Sequence, residues 1–167
     1  MSSFAYVKED RMDRITREKR SWNMSRIKGR NTKPEILLRK LLYARGIRYR
    51  LHKKDLPGRP DLVLSKFRAV IFVHGCFWHL HEGCRNSKIP ATRKEFWKKK
   101  LEGNRDRDVA SKKALLELEW RVLTVWECSL HACRHDPSPF VEQVIEWLAG
   151  DSRLAETTPE GKLQNGN

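Results

Sequence analysis

The segment Arg68-Ala69-Val70-Ile71-Phe72-Val73 constrains the fold more than any other. Its five consecutive apolar residues, Ala69 to Val73, lack polar alternation, which suits a strand buried on both faces in the middle of a sheet. Asp61–Leu64 reads as a second strand, set off by the turn Pro57-Gly58-Arg59-Pro60. The short gap Ser65-Lys66-Phe67 makes the two strands a hairpin. Ile47–His52 alternates imperfectly as a third strand, and Arg121–Glu127 is a second β-rich run. Thr32-Lys33-Pro34-Glu35 is a capping box that opens a helix with Ile36, Leu37, Leu38, Leu41 and Leu42 as its apolar face, and Gly46 closes it. Thr92–Leu101 and Asp106–Leu118 read as two basic amphipathic helical segments, and Pro139–Leu148 as a last short helix. This order implies a mixed α/β sheet flanked by helices.

The 167 residues fit one domain with flexible ends, large enough to bury a core without disulfides. Residues 1–31 lack sustained apolar periodicity and are expected to be a basic arm. Residues 32–150 form the domain, and 151–167 are a polar tail. The formal net charge is +14, and it is unevenly placed. Residues 1–30 carry nine Lys/Arg against four acids and residues 85–113 eleven against four, whereas residues 134–167 invert to three against six. Two basic blocks favour a polyanion, with nucleic acid ahead of an anionic membrane. No apolar run is long enough to span a bilayer, and the N-terminus lacks a secretory h-region, so a cytoplasmic protein is expected. In a reducing compartment, Cys76, Cys84, Cys128 and Cys133 point to metal or free thiols.

Cys76, His81 and Cys84 lie within nine residues, and Cys128 follows a later strand. Two or more thiolates with imidazole suit tetrahedral Zn²⁺, and a set joining distant segments should be structural. Cys133 is a spare that would substitute for one of them, and buried free thiols are the competing reading. Asp61 opens a strand about a dozen residues before the end of the next, the layout of many Mg²⁺-dependent nucleases. The second acid and lysine of such patterns are missing here, and Val73 would bind metal only through its carbonyl oxygen. His74 and His79 bracket the cysteine loop; each is either a proton-transfer group beside a phosphate or a structural histidine. Phe77 and Trp78 either stack on or wedge apart bases, or roof the zinc site.

The chain resembles the very short patch repair endonucleases, which nick DNA at T:G mismatches, over Trp22 to Leu130. The resemblance rests on Asn23-Met24-Ser25-Arg26-Ile27-Lys28, Asn31-Thr32-Lys33-Pro34-Glu35, Pro57-Gly58-Arg59-Pro60-Asp61, Val70 to His79, Pro90-Ala91-Thr92-Arg93, Phe96-Trp97, Asn104, Arg107-Asp108 and Trp120 to Cys128. It implies a restriction-endonuclease-like fold, Mg²⁺-dependent phosphodiester hydrolysis and one structural Zn²⁺. Carried over by position, Asp61 and the Val73 carbonyl bind Mg²⁺, and His79 is the acid/base residue, supported by His74 and Glu35. Cys76, His81, Cys84 and Cys128 hold zinc. Phe77 and Trp78 enter the base stack while Met24 wedges from the other groove. The implied reaction is a nick 5′ of the thymine in duplex DNA, opening short-patch repair of deaminated 5-methylcytosine. A monomer is expected, with mismatch-repair proteins as partners and no membrane. Two readings compete with this one: a matched-site nuclease of the same fold, and a zinc-stapled DNA-binding module without catalysis.

Overall fold

A computed structural model of the chain describes residues 16, 18, 19, 22 and 29–166. Met24 and most of the expected N-terminal arm lie outside the described residues. Helix α1 (Lys33–Ala44) opens as its sequence predicts. The Thr32 hydroxyl accepts from the Glu35 amide at 3.4 Å, and the Glu35 carboxylate accepts from the Thr32 amide at 3.3 Å and the Asn31 amide at 3.0 Å. Both sides of the box satisfy amides that have no partner inside the helix.

Six strands form one sheet: β1 (Arg50–Leu51), β2 (Leu62–Leu64), β3 (Ala69–His74), β4 (Arg121–Trp126), β5 (Leu154–Thr157) and β6 (Leu163–Asn165), in that spatial order. β1, β2 and β3 are successively antiparallel, β4 runs parallel to β3, β5 runs parallel to β4, and β6 is antiparallel to β5. The fold is therefore a mixed α/β sheet. The β2–β3 hairpin turns through a single 3₁₀ turn at Ser65–Phe67, as expected. The parallel β3–β4 pair needs a long crossover, supplied by the cysteine loop and helix α2 (Lys94–Glu117).

Side-chain alternation sorts the central strands between two cores. Ala69, Ile71, Leu123 and Val125 pack with Leu38 and Leu42 of α1 and with Phe140, Val144 and Trp147 of helix α4 (Ser138–Ala149). Val70, Phe72 and Val122 pack with Val63, Leu56 and Leu115, the last from α2. β3 is thus covered on both faces, which accounts for its unbroken apolar sequence.

Three expectations change. The Ile47–His52 strand contracts to Arg50–Leu51, because only that stretch finds a partner in β2. The two helical segments of 92–118 are one helix, α2, running through Gly103; a mid-helix glycine costs only about 1 kcal/mol against alanine. Residues 151–167, expected as a polar tail, carry β5 and β6. Their inward positions, Ala155 and Thr157, are small or polar and give no hydrophobic alternation. What holds them is pairing with β4 and a polar latch. The Thr157 hydroxyl accepts from the Trp126 amide at 2.9 Å and lies 2.8 Å from the Ser129 hydroxyl, on the short helix α3 (Glu127–Ala132).

Candidate active and metal sites

The strand ends place the chemistry. Asp61 enters β2 directly from the Pro57–Pro60 turn, which is tight against α2. Gly58 sits there at φ +71°, and a Cβ on it would stand 2.7 Å from the Ser111 Cβ, so only glycine fits. Across the hairpin, the Val73 amide donates to Asp61 Oδ2 at 2.7 Å. Burial pushes the Asp61 carboxyl up to about 6. The neighbouring Glu35 adds to the rise, while the Val73 N–H opposes it. Glu35 is itself buried and binds Arg39 Nη2 at 2.8 Å. His52 lies between the two carboxylates, with Nε2 3.9 Å from Glu35 Oε2 and Nδ1 3.8 Å from Asp61 Oδ1. Asp61 and Glu35, distant in sequence, therefore share one cluster.

The second cluster follows from the parallel register of β3 and β4, which pairs His74 with Trp126. Cys76 and Cys128 each lie two residues beyond that pair, so leaving the sheet together brings them together. The loop turns sharply, with the His79 amide donating to the Gly75 carbonyl and the His81 amide to the Cys76 carbonyl. Left-handed backbone at Leu80 and Gly83 completes the reversal. One donor atom each from Cys76, His81, Cys84 and Cys128 lies within 4.8 Å of all the others, and His81 Nδ1 is 3.3 Å from Cys128 Sγ. Burial pushes the Cys76 and Cys128 thiols up, and the adjacent Cys84 sulfur pushes both further. Three crowded thiols cannot all ionise without a compensating cation, which a tetrahedral metal would supply. The donor set fits such an ion. Cys133 lies outside the cluster, with its sulfur against Gly161 in the β5–β6 turn.

His74 and His79 stack face to face, with centroids 3.8 Å apart and planes 7° apart. Burial, reinforced by His79 and Lys112, holds His74 well below the ordinary histidine range, so it is neutral. His79 Nδ1 lies 2.5 Å from Asp108 Oδ2, which leaves Nε2 as its free nitrogen. His79 also acts electrostatically on Asp61, in the direction that lowers its pKa. Phe77 and Trp78 make edge contacts with Trp97 at 5.3 and 6.0 Å, and Lys100 Nζ lies 5.5 Å from the Trp78 ring and 5.6 Å from the Trp97 ring. The ring stacked on the metal-set imidazole is instead Trp126, 4.0 Å from His81 and 2° from parallel. Asn104 Nδ2 donates to the Trp78 carbonyl at 2.9 Å and holds the loop to α2.

His52, Arg39, Trp97, Lys100, Asn104 and Asp108 join these sites without a role visible in the motifs that carry the chemistry. For four of them a signal exists: Trp97, Lys100, Asn104 and Asp108 recur at helical spacing on one face of α2.

A family model for the DNA mismatch endonuclease Vsr matches residues 12–85. The chain is 43% identical over 150 residues to the DNA mismatch endonuclease Vsr of Escherichia coli strain K12, covering 89% of this chain and 94% of that one. This chain belongs to the Vsr endonuclease family. It is accordingly an endonuclease, a very short patch repair enzyme by descent. Two nicking enzymes are also similar. V.XorIIP of Xanthomonas oryzae pv. oryzae is 48% identical over 118 residues, covering 71% of this chain and 86% of its own. V.NmeAIP of Neisseria meningitidis serogroup A is 40% identical over 135 residues, covering 79% and 96%. No described helix of this Vsr-family chain is long and apolar enough to cross a membrane.

Proposed function

We propose that this enzyme nicks duplex DNA 5′ of the thymine in a T:G mismatch and so opens short-patch repair of deaminated 5-methylcytosine. The observation that carries the reading is Asp61, pinned by the Val73 N–H and within electrostatic reach of His79, whose ring is oriented by Asp108. Asp61 and the Val73 carbonyl would hold Mg²⁺, with Glu35 behind them. Bound there, Mg²⁺ lowers the pKa of water and neutralises charge developing on the scissile phosphate. His79 presents Nε2 for proton transfer, and Asp108 fixes its ring. His74, neutral and stacked on His79, keeps that ring in plane without adding a competing charge.

Cys76, His81, Cys84 and Cys128 would hold a structural Zn²⁺ that makes the loop rigid. Phe77 and Trp78, backed by Trp97, then form a platform to enter the base stack. Met24, on the basic arm of residues 1–31, would wedge from the opposite groove. Unstacking costs a few kcal/mol per step and least at a mismatch, which provides a physical route to selectivity. The described residues would supply one set of catalytic groups per chain, which suits a monomer cutting one strand. The reading extends to a restriction-endonuclease-like core spanning 32–150, to action in the cytoplasm on chromosomal DNA, and to mismatch-repair proteins as partners.

The test is a nicking assay with Mg²⁺ on T:G and matched T:A duplexes. Nicking confined to T:G, and abolished in Asp61→Ala with DNA binding retained, is expected. Equal cutting of both duplexes would identify a matched-site nuclease, and binding without cutting would identify a zinc-stapled DNA-binding module.

A further inference from the structure

We propose that His52 is a positioning residue for the Asp61 carboxylate, held in one tautomer by Arg39. The inference rests on Asp61 being the metal-binding carboxylate of the nicking reaction.

His52 follows β1, where its backbone takes the left-handed conformation at φ 45°, rare for a residue with a side chain. The antiparallel register of β1 and β2, which pairs Leu51 with Leu62, brings His52 level with Asp61. Arg39 Nη2 approaches His52 Nε2 to 3.1 Å. A guanidinium only donates, so Nε2 must carry the lone pair and accept. The proton of the neutral ring is then on Nδ1, the nitrogen facing Asp61 Oδ1 at 3.8 Å. The opposite tautomer would set two donors against each other at Arg39 and a lone pair against a carboxylate at Asp61. Both contacts are repulsive, so the same geometry selects the tautomer twice.

Arg39 is in turn immobilised. It is 8% exposed, and its guanidinium donates to Glu35 Oε2 at 2.8 Å and to Asn31 Oδ1 at 2.6 Å. A chain of contacts therefore runs from the α1 cap to Asp61. At 3.8 Å the last link acts as an oriented N–H dipole and not as a hydrogen bond. With the Val73 amide on Oδ2, each Asp61 oxygen faces an N–H, and the carboxylate plane is set from both sides. Glu35, His52 and Asp61 together have the composition of a metal-ligand set. Ligation through His52 Nδ1, however, would move its proton onto Nε2, against Arg39. His52 thus orients a ligand and is not itself one.

The test uses the full-length protein. Long-range ¹H–¹⁵N spectra of ¹⁵N-histidine-labelled protein, in magnesium-free buffer at ~pH 8 with the ring neutral, should show His52 protonated on Nδ1. Arg39→Leu should shift it toward Nε2. Protonation on Nε2 in the unsubstituted protein overturns the proposal. Calorimetric titration with Mg²⁺ should show affinity weakened about 10–100-fold in His52→Ala, the usual loss for a group that orients a metal ligand. In His52→Asn, whose amide places an N–H near the Nδ1 position, affinity should recover. Thermal midpoints and metal-free DNA affinity of both variants should match those of the unsubstituted protein. Normal Mg²⁺ affinity in His52→Ala, or equal loss in both variants, overturns the proposal. Asp61→Asn separates the premise from the inference. If it binds Mg²⁺ normally, the reading of Asp61 falls. If it loses binding while His52→Ala does not, only the role of His52 falls.

Discussion

Replacing Asp61 with Asn should stabilise the metal-free protein at neutral pH and do almost nothing in acid. The Asp61 side chain is 17% exposed, and its carboxyl is pushed from 3.8 to about 6. Between those values the folded chain holds a proton that the unfolded chain has released. Stability therefore falls as pH rises from about 4 to about 6 and stays lower above that. The gap corresponds to about 3 kcal/mol at ~pH 8, taken as an upper bound. Asn carries no charge to bury, and its Oδ1 can still accept from the Val73 amide. The expected gain for Asp61→Asn is about 1–3 kcal/mol at ~pH 8, a rise of about 3–10 °C in melting midpoint for a chain of this size. The assay is urea unfolding of both proteins in magnesium-free buffer at ~pH 4 and ~pH 8. Subtracting one protein from the other at each pH cancels the titrating groups that are not coupled to Asp61. A difference of equal size at both pH values would refute the reasoning, as would a variant less stable than the parent at ~pH 8. The sign matters for function, because a carboxylate that costs the fold stability is kept for something other than folding.

Asp108→Asn should slow nicking by about 10²-fold or more, within the range general acid–base catalysis contributes, with DNA affinity unchanged; a parental rate would remove Asp108 as the group orienting His79. Metal analysis should find about one zinc per chain, lost in Cys128→Ser together with cooperative unfolding. Normal melting of a metal-free protein would contradict a structural role. Thr157→Val strips the buried Trp126 amide of its partner, leaves the Ser129 hydroxyl only its bond to the Trp126 carbonyl, and should cost about 1–3 kcal/mol in urea unfolding. A negligible change would show that the C-terminal hairpin is held by strand pairing alone.

Local chemistry in the sequence determined a good part of this protein. The run Ala69–Val73 reads as a covered strand and the Thr32–Glu35 box as the start of a helix, and both form as such. The crowding of Cys76, His81 and Cys84 in one loop already announces a metal-type cluster. These features are legible because their physics acts over a few residues: side-chain period, capping and donor spacing. The tertiary structure decided what depends on partners far away along the chain. Cys128 joins the cluster because β3 and β4 run parallel in a register that ends both strands at the same level. Asp108 reaches His79 because α2 is one unbroken helix, a continuity that Gly103 obscures. Residues 154–165 carry strands although their sequence alternates too weakly to show it, because β4 offers an edge and Trp126 offers an amide to Thr157. His52 gains its role only through the antiparallel pairing of β1 with β2, which sets one nitrogen against Arg39 and the other against Asp61. The residues available for chemistry are written in order along the chain. Which nitrogen faces which oxygen is set by strand register and helix packing, which couple positions that no local pattern connects.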